Sequence, residues 1–272
     1  MSDRITQSLK NGRGFIPFVT AGDPDDASSL EICKLLAERG ASVIELGVPF
    51  SDPMADGVVI QRSSQRALEN GVNLTRVLSL ASKLRASSDV PVVLFSYLNP
   101  ILRFGIEELC AEAKRSGIDG VLIVDAVDSE ARELSEMFAK HDISLISLVA
   151  PTTSDERLEK ICRNARGFIY AVSTAGVTGA RGSISNDAER LVARVRKFTD
   201  LPIAVGFGIS THEQIEAVWK FADAAVVGSA IVAEIEASLE TQDAVSRVEA
   251  LIDHLLPLQM ATHTHKVEGS QL

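Results

Sequence analysis

Two carboxylates, Glu45 and Asp56, flank a loop punctuated by Gly47, Pro49, Pro53 and Gly57 that directly follows an apolar run. Val43, Ile44 and Leu46 read as a β-strand, and alternation puts Glu45 on the same face as Val43, so an acid is carried into a buried layer. An ionised glutamate there costs several kcal/mol unless it pairs, and residues 41–57 hold no Lys or Arg. Its pKa must rise, or a cation must come from elsewhere. Asp56 follows the turn signals Val48-Pro49 and Asp52-Pro53 and precedes Gly57, which places it on a loop able to curl back over the strand end. One desolvated acid that moves a proton, beside one hydrogen-bonded acid that stays charged, is the asymmetry acid–base chemistry needs. The alternative puts Glu45 on the outer face of its strand, salt-bridged to a neighbouring helix.

The period of the apolar pattern predicts strands at 15–19, 43–46, 92–95, 120–124, 144–149, 168–172, 203–205 and 224–227. Helical spacing occupies 28–39, 61–68, 74–84, 107–115, 129–140, 156–162, 188–198, 213–220 and 231–239. Strict alternation with near-continuous apolar strands predicts a parallel sheet covered by helices, and eight units in about 250 residues match a single (β/α)8 TIM barrel. An open doubly wound sheet is the competing architecture, but no Gly-x-Gly-x-x-Gly follows the first strand. The segment 74–84 is an extra helix in the second unit. The expected catalytic domain is 1–258, with a terminal helix at 243–256 stopped by Pro257 and a frayed polar tail at 259–272.

In a barrel, chemistry collects where strands end. Thr20 to Pro24 follow the first strand, Ser96 to Pro100 the third, and Asp125 closes the fourth. After the sixth, Ser173 to Gly182 is Gly-rich and reads as a mobile lid. Gly206-Phe207-Gly208-Ile209-Ser210-Thr211 and Gly228-Ser229 precede helices in adjacent units, where bare amides can bind a dianion; ordinary N-capping by Ser210, Thr211 and Ser229 is the alternative. The net charge of -10, offset by no block of Lys/Arg with interleaved aromatics, argues against nucleic acid as partner, so an anionic substrate must be held locally by backbone amides. Cys33, Cys110 and Cys162 lie far apart, which predicts reduced core thiols. With no apolar leader and no membrane-length apolar run, a cytoplasmic location is expected. No lysine falls in a strand run, which argues against imine chemistry, and the five histidines do not converge on a metal site.

Nearly the whole chain resembles the tryptophan synthase α subunit family. The resemblance is densest at Glu45-Leu-Gly-Val-Pro-Phe-Ser-Asp-Pro-Met-Ala-Asp-Gly57 and is supported by Tyr97-x-Asn-Pro100, Ser173-x-x-Gly-Val-Thr-Gly179, Gly206-Phe-Gly-Ile-Ser210 and Gly228-Ser229. It implies a cofactor-free lyase that cleaves indole-3-glycerol phosphate to indole and glyceraldehyde 3-phosphate, with Glu45 as general acid/base and Asp56 as the carboxylate that orients the indole. It also implies that Phe18, Tyr97, Tyr170 and Phe207 lie near the substrate, that the lid carries Thr178, and that Gly179, Gly208, Gly228 and Ser229 form the phosphate cradle. The family works as an α2β2 complex with a pyridoxal phosphate-dependent β subunit, whose contact surface corresponds to the loop 49–53 and the segment after Asp125. Two departures fall there: Val58 stands where the family commonly has proline, and Ala126-Val127 lacks a proline common after the fourth-strand aspartate. A lyase acting alone and a mainly regulatory barrel subunit are the alternatives.

Overall fold

The computed structural model describes residues 4–126, 128–172, 186–206 and 208–256. Eight parallel strands close into one barrel in chain order: β1 (Gly14–Thr20), β2 (Ile44–Gly47), β3 (Val92–Ser96), β4 (Gly120–Ile123), β5 (Ser144–Val149), β6 (Ile169–Val172), β7 (Ile203–Gly206) and β8 (Ala224–Val227), with β8 paired back to β1. Helices connect them: α1 (Arg4–Leu9), α2 (Asp26–Glu38), α3 (Val58–Glu69), α4 (Leu74–Arg85), α5 (Leu98–Phe104), α6 (Ile106–Arg115), α7 (Asp128–Ala139), α8 (Asp155–Asn164), α9 (Asn186–Val195), α10 (His212–Val218), α11 (Ser229–Ala237) and α12 (Ala244–Leu255). This is the (β/α)8 barrel that the alternation predicts, with α3 and α4 sharing the enlarged second unit.

Strand alternation sorts the apolar residues into two compartments. Ile16, Val43, Val93, Leu122, Ile146, Phe168, Ala204 and Val226 fill the barrel, while Val19, Ile44, Leu46, Leu94 and Val205 pack outward against the helices. The strand starts are stapled by side chains from the turn before the next strand. Ser42 Oγ accepts from Phe15 N at 3.3 Å, Asp119 Oδ2 from Val92 N at 2.9 Å, and Asp223 Oδ2 from Ile203 N at 2.7 Å.

Two helices have no counterpart in the sequence reading. α1 is only six residues long, too short for its period to register, yet it plugs the lower end with Ile5 and Leu9. Glycines make room for it: a Cβ on Gly14 would lie 2.6 Å from Leu9 Cδ2, and one on Gly120 would lie 2.8 Å from Ile5 Cδ1. α5 begins inside the stretch 96–100 that reads as loop. Its Pro100 sits in the first turn, where a missing N–H costs no helical hydrogen bond. The expected lid at 173–182, the tail at 259–272 and the boundary at 258 lie outside the described residues.

Candidate active site

Glu45 points into the barrel, opposite Phe18 of β1 and Val93 of β3 in the ladder. Its neighbours Ile44 and Leu46 face the helices, so the salt-bridged exterior position is ruled out. The residue is 1% exposed, and its Oε1 is buried without a hydrogen-bond partner among the described residues. Burial, with no cation among the described residues to offset it, pushes the carboxyl up to about 8. At neutral pH it is therefore mainly the acid.

Asp56 is half-buried on the loop entering α3. Tyr97, which directly follows β3, donates its hydroxyl to Asp56 Oδ2 at 3.1 Å and accepts Ala55 N–H at 2.9 Å. The loop is braced further by Asp56 N–H to Pro53 O at 3.1 Å and by Gln61 Nε2 to Asp56 O at 2.9 Å. Burial raises the carboxyl to about 6, and the Tyr97 hydrogen bond opposes that rise. Asp56 is thus ionised at neutral pH but titrates nearer neutrality than the loop position alone implied. The two acids differ in the order their environments dictate.

Tyr170, at the middle of β6, faces both. Burial and the charges of Glu45 and Asp56 hold its phenol well above the usual range. It fits only because β7 offers no side chain beside it: a Cβ on Gly206 would fall 2.2 Å from the Tyr170 hydroxyl. Phe18 is accommodated in the same way. A Cβ on Gly47 would lie 2.6 Å from Phe18 Cζ, and one on Gly228 would lie 3.3 Å from Phe18 Cβ. Phe18 meets Phe95 edge to face at 5.1 Å and 75°, and Phe50 lies against Tyr97 at 5.1 Å. Phe50 and Phe95 join these aromatics although the sequence reading did not single them out. Alternation along β3 was the available signal for Phe95, while Phe50, in the loop after β2, offered none.

The two Gly-bearing turns differ. At α10, Thr211 caps the helix and Gln214 Oε1 accepts from Ser210 N–H and Thr211 N–H, so its first amides are occupied, as the capping alternative holds. At α11, Gly228 is the N-cap and no side chain caps the helix, while Ser229 is exposed. The first-turn amides of α11 therefore have no acceptor from the helix itself and suit an anion. Gly208 has φ +73° and open space where a side chain would stand. Phe207, Thr178 and Gly179 lie outside the described residues. Among the described residues no group of three or more His, Cys, Asp or Glu side chains is placed to hold a metal ion.

The closed eight-stranded barrel, with Glu45, the Asp56 loop and the open N-terminus of α11 gathered where its strands end, is built as a (β/α)8-barrel enzyme is built. Residues 5–260 match the family model described as "Tryptophan synthase alpha chain". The chain belongs to the tryptophan synthase alpha chain family. It is 47% identical over 247 residues to the tryptophan synthase alpha chain of Caulobacter sp. (strain K31), covering 90% of each chain. It is 40% identical over 260 residues to that of Alkaliphilus metalliredigens (strain QYMF), covering 94% of this chain and 97% of the relative. Among solved structures, it is similar to a chain of the tryptophan synthase α2β2 complex of Pyrococcus furiosus, with 41% identity, TM-score 0.85, and 90% of this chain and 98% of that one covered.

Proposed function

We propose that Glu45 and Asp56 carry the reaction of this family in the present chain: cleavage of indole-3-glycerol phosphate to indole and glyceraldehyde 3-phosphate, in tryptophan biosynthesis. The observation that carries the assignment is Glu45, a buried carboxyl without a cation among the described residues, held in its acid form inside the barrel. The bond between indole C3 and the glycerol chain breaks only after C3 gains a proton and the ring becomes an indoleninium. Glu45 donates that proton. The resulting Glu45 carboxylate takes the proton from the hydroxyl on the adjacent side-chain carbon, the C–C bond opens, its electron pair restores the aromatic ring, and the side chain leaves as the aldehyde. Positive charge builds on the indole nitrogen along the way. An anionic Asp56, steadied by Tyr97, accepts the indole N–H and lowers that barrier.

Phe18 and Tyr170 bound the ring, and the first turn of α11 with Gly228 and Ser229, together with Gly208, takes the phosphate. Thr178, Gly179 and Phe207 complete the set by family correspondence. This chain needs no cofactor; pyridoxal phosphate belongs to the β subunit. The β subunit docks over the Asp56 loop and the neighbouring α5, where Met54 of the loop, Val58 at the start of α3 and Leu102 of α5 are 90%, 63% and 54% exposed, apolar surface that a partner would cover. A cytoplasmic location is part of the same proposal; separately, no helix among the described residues is long and apolar enough to cross a membrane. The test is steady-state cleavage of indole-3-glycerol phosphate by the purified chain with and without a β subunit. Low activity that rises with β supports the assignment, full activity alone indicates a self-sufficient lyase, and no activity in either case defeats both.

A further inference from the structure

One face of α3 is tied to both ends of the site. Asp56 lies two residues before the helix, and the same helix packs on α11, whose N-terminus is the open amide cluster. Between them runs a charged network. Arg66 of α3 grips Asp23 of the loop after β1 in a two-pronged pair, Nε to Oδ1 and Nη2 to Oδ2, both at 2.8 Å. The Asp23 side chain is fully buried. The third arm of Arg66, Nη1, donates to Glu236 Oε1 of α11 at 2.9 Å. Arg62, one turn earlier on α3, holds both oxygens of Glu236 at 2.6 and 2.5 Å. Beside them Thr20 Oγ1, at the end of β1, lies 2.6 Å from the hydroxyl of Ser63 on α3.

Stability alone is a poor account of this arrangement. A buried ion pair loses much of its attraction to desolvation, and well-packed apolar side chains between α3 and α11 would hold the helices together as well. Apolar faces, however, let packed helices slide by small amounts. A guanidinium fork shared between two carboxylates on two different elements fits in one relative placement only.

We propose that the network of Asp23, Arg66, Glu236 and Arg62 is a positioning device that fixes the span between the indole end and the phosphate end of the site. The proposal rests on the assignment of Asp56 and α11 made above. A substrate that carries both groups gains from having its second end delivered at the right distance, whereas separate fragments do not feel the span. The network thereby sets specificity for the intact phosphorylated indole.

The experiment compares the full-length chain with Arg66→Lys, which keeps the charge and loses the fork, and Glu236→Gln, which leaves the pair of Asp23 with Arg66 intact. For each, kcat/KM for indole-3-glycerol phosphate is measured beside the separate dissociation constants of indole and glyceraldehyde 3-phosphate. The expected result is a fall in kcat/KM of about 10- to 100-fold for Arg66→Lys and a smaller one for Glu236→Gln, the scale of an ångström-level misplacement. The fragment constants should stay within about twofold, since neither end is itself altered. Wild-type kcat/KM in both variants, or fragment binding that weakens in step with it, overturns the proposal. Should Arg66→Lys fail to fold, Glu236→Gln decides the matter by the same comparison. If the wild-type chain binds neither fragment in competition with substrate, the site assignment falls first, and this outcome is distinct from loss of the span effect.

Discussion

The proposed reaction concentrates its chemistry in one side chain, Glu45, whose environment makes two testable demands. Substituting Glu45→Gln removes the transferable proton while keeping shape, so turnover should drop by about two orders of magnitude or more with KM little changed, as steady-state assays will show. The burial that poises Glu45 also affects stability. Its carboxyl titrates near 4.5 when unfolded and at about 8 when folded, so between those values the native chain holds a proton that the unfolded chain has released. Stability conferred by the neutral form is complete below about 4.5 and is lost as pH rises through about 8, a penalty on the order of 5 kcal/mol. Glu45→Gln escapes it: its melting temperature should exceed that of the wild type by several degrees at pH 9 and match it near pH 4.5. Asp56 must be ionised and Glu45 protonated for the first step, so kcat/KM should be bell-shaped, rising through about 6 and falling through about 8. Tyr97→Phe removes the hydrogen bond that favours the Asp56 carboxylate, raises its pKa further, and should move the acid limb to higher pH while the alkaline limb stays in place.

At the scale of elements, β7 and the turn after it use two glycines for different reasons. Gly206 is empty space for Tyr170, so Gly206→Ala forces a backbone or ring shift and should destabilise the fold by about 1–3 kcal/mol in denaturant titrations, with activity falling as Tyr170 moves. Gly208 faces open space at φ +73°, a conformation Asp tolerates better than most residues. Gly208→Asp should therefore fold, yet place a negative charge beside the phosphate and raise KM far more than it lowers kcat. An unchanged KM would remove Gly208 from the cradle. The strand runs and most helices were legible because buried parallel strands are continuous in apolar residues and their helices are amphipathic. α1 and α5 were not, because six or seven residues carry too little period and their positions are set by what they pack against.

For the whole molecule, exposed Met54 and Val58 near Asp56 and exposed Leu102 on α5 form the apolar surface on which a β subunit would sit. Leu102→Asp, on α5 and outside the catalytic set, should leave basal cleavage unchanged while reducing stimulation by a β subunit about tenfold or more, measured by titrating β into the assay. Stimulation equal to the wild type would move the interface elsewhere.

What the order of residues determined alone is the eight-fold alternation, the pairing of a strand acid with a loop acid, and the glycines at strand ends, because each is local: side-chain period, turn chemistry and the cost of a Cβ are set within a few positions. The tertiary structure decided which way β2 turns, and so whether Glu45 is an acid in the barrel or a surface charge. It also separated the capped N-terminus of α10 from the open one of α11. The union of Asp23, Arg66 and Glu236 likewise required the closed barrel, since these residues stand 43 and 170 positions apart along the chain. Burial and long-range partners depend on the whole packed barrel, and desolvation, which sets the Glu45 pKa, exists only once the strands have closed around it.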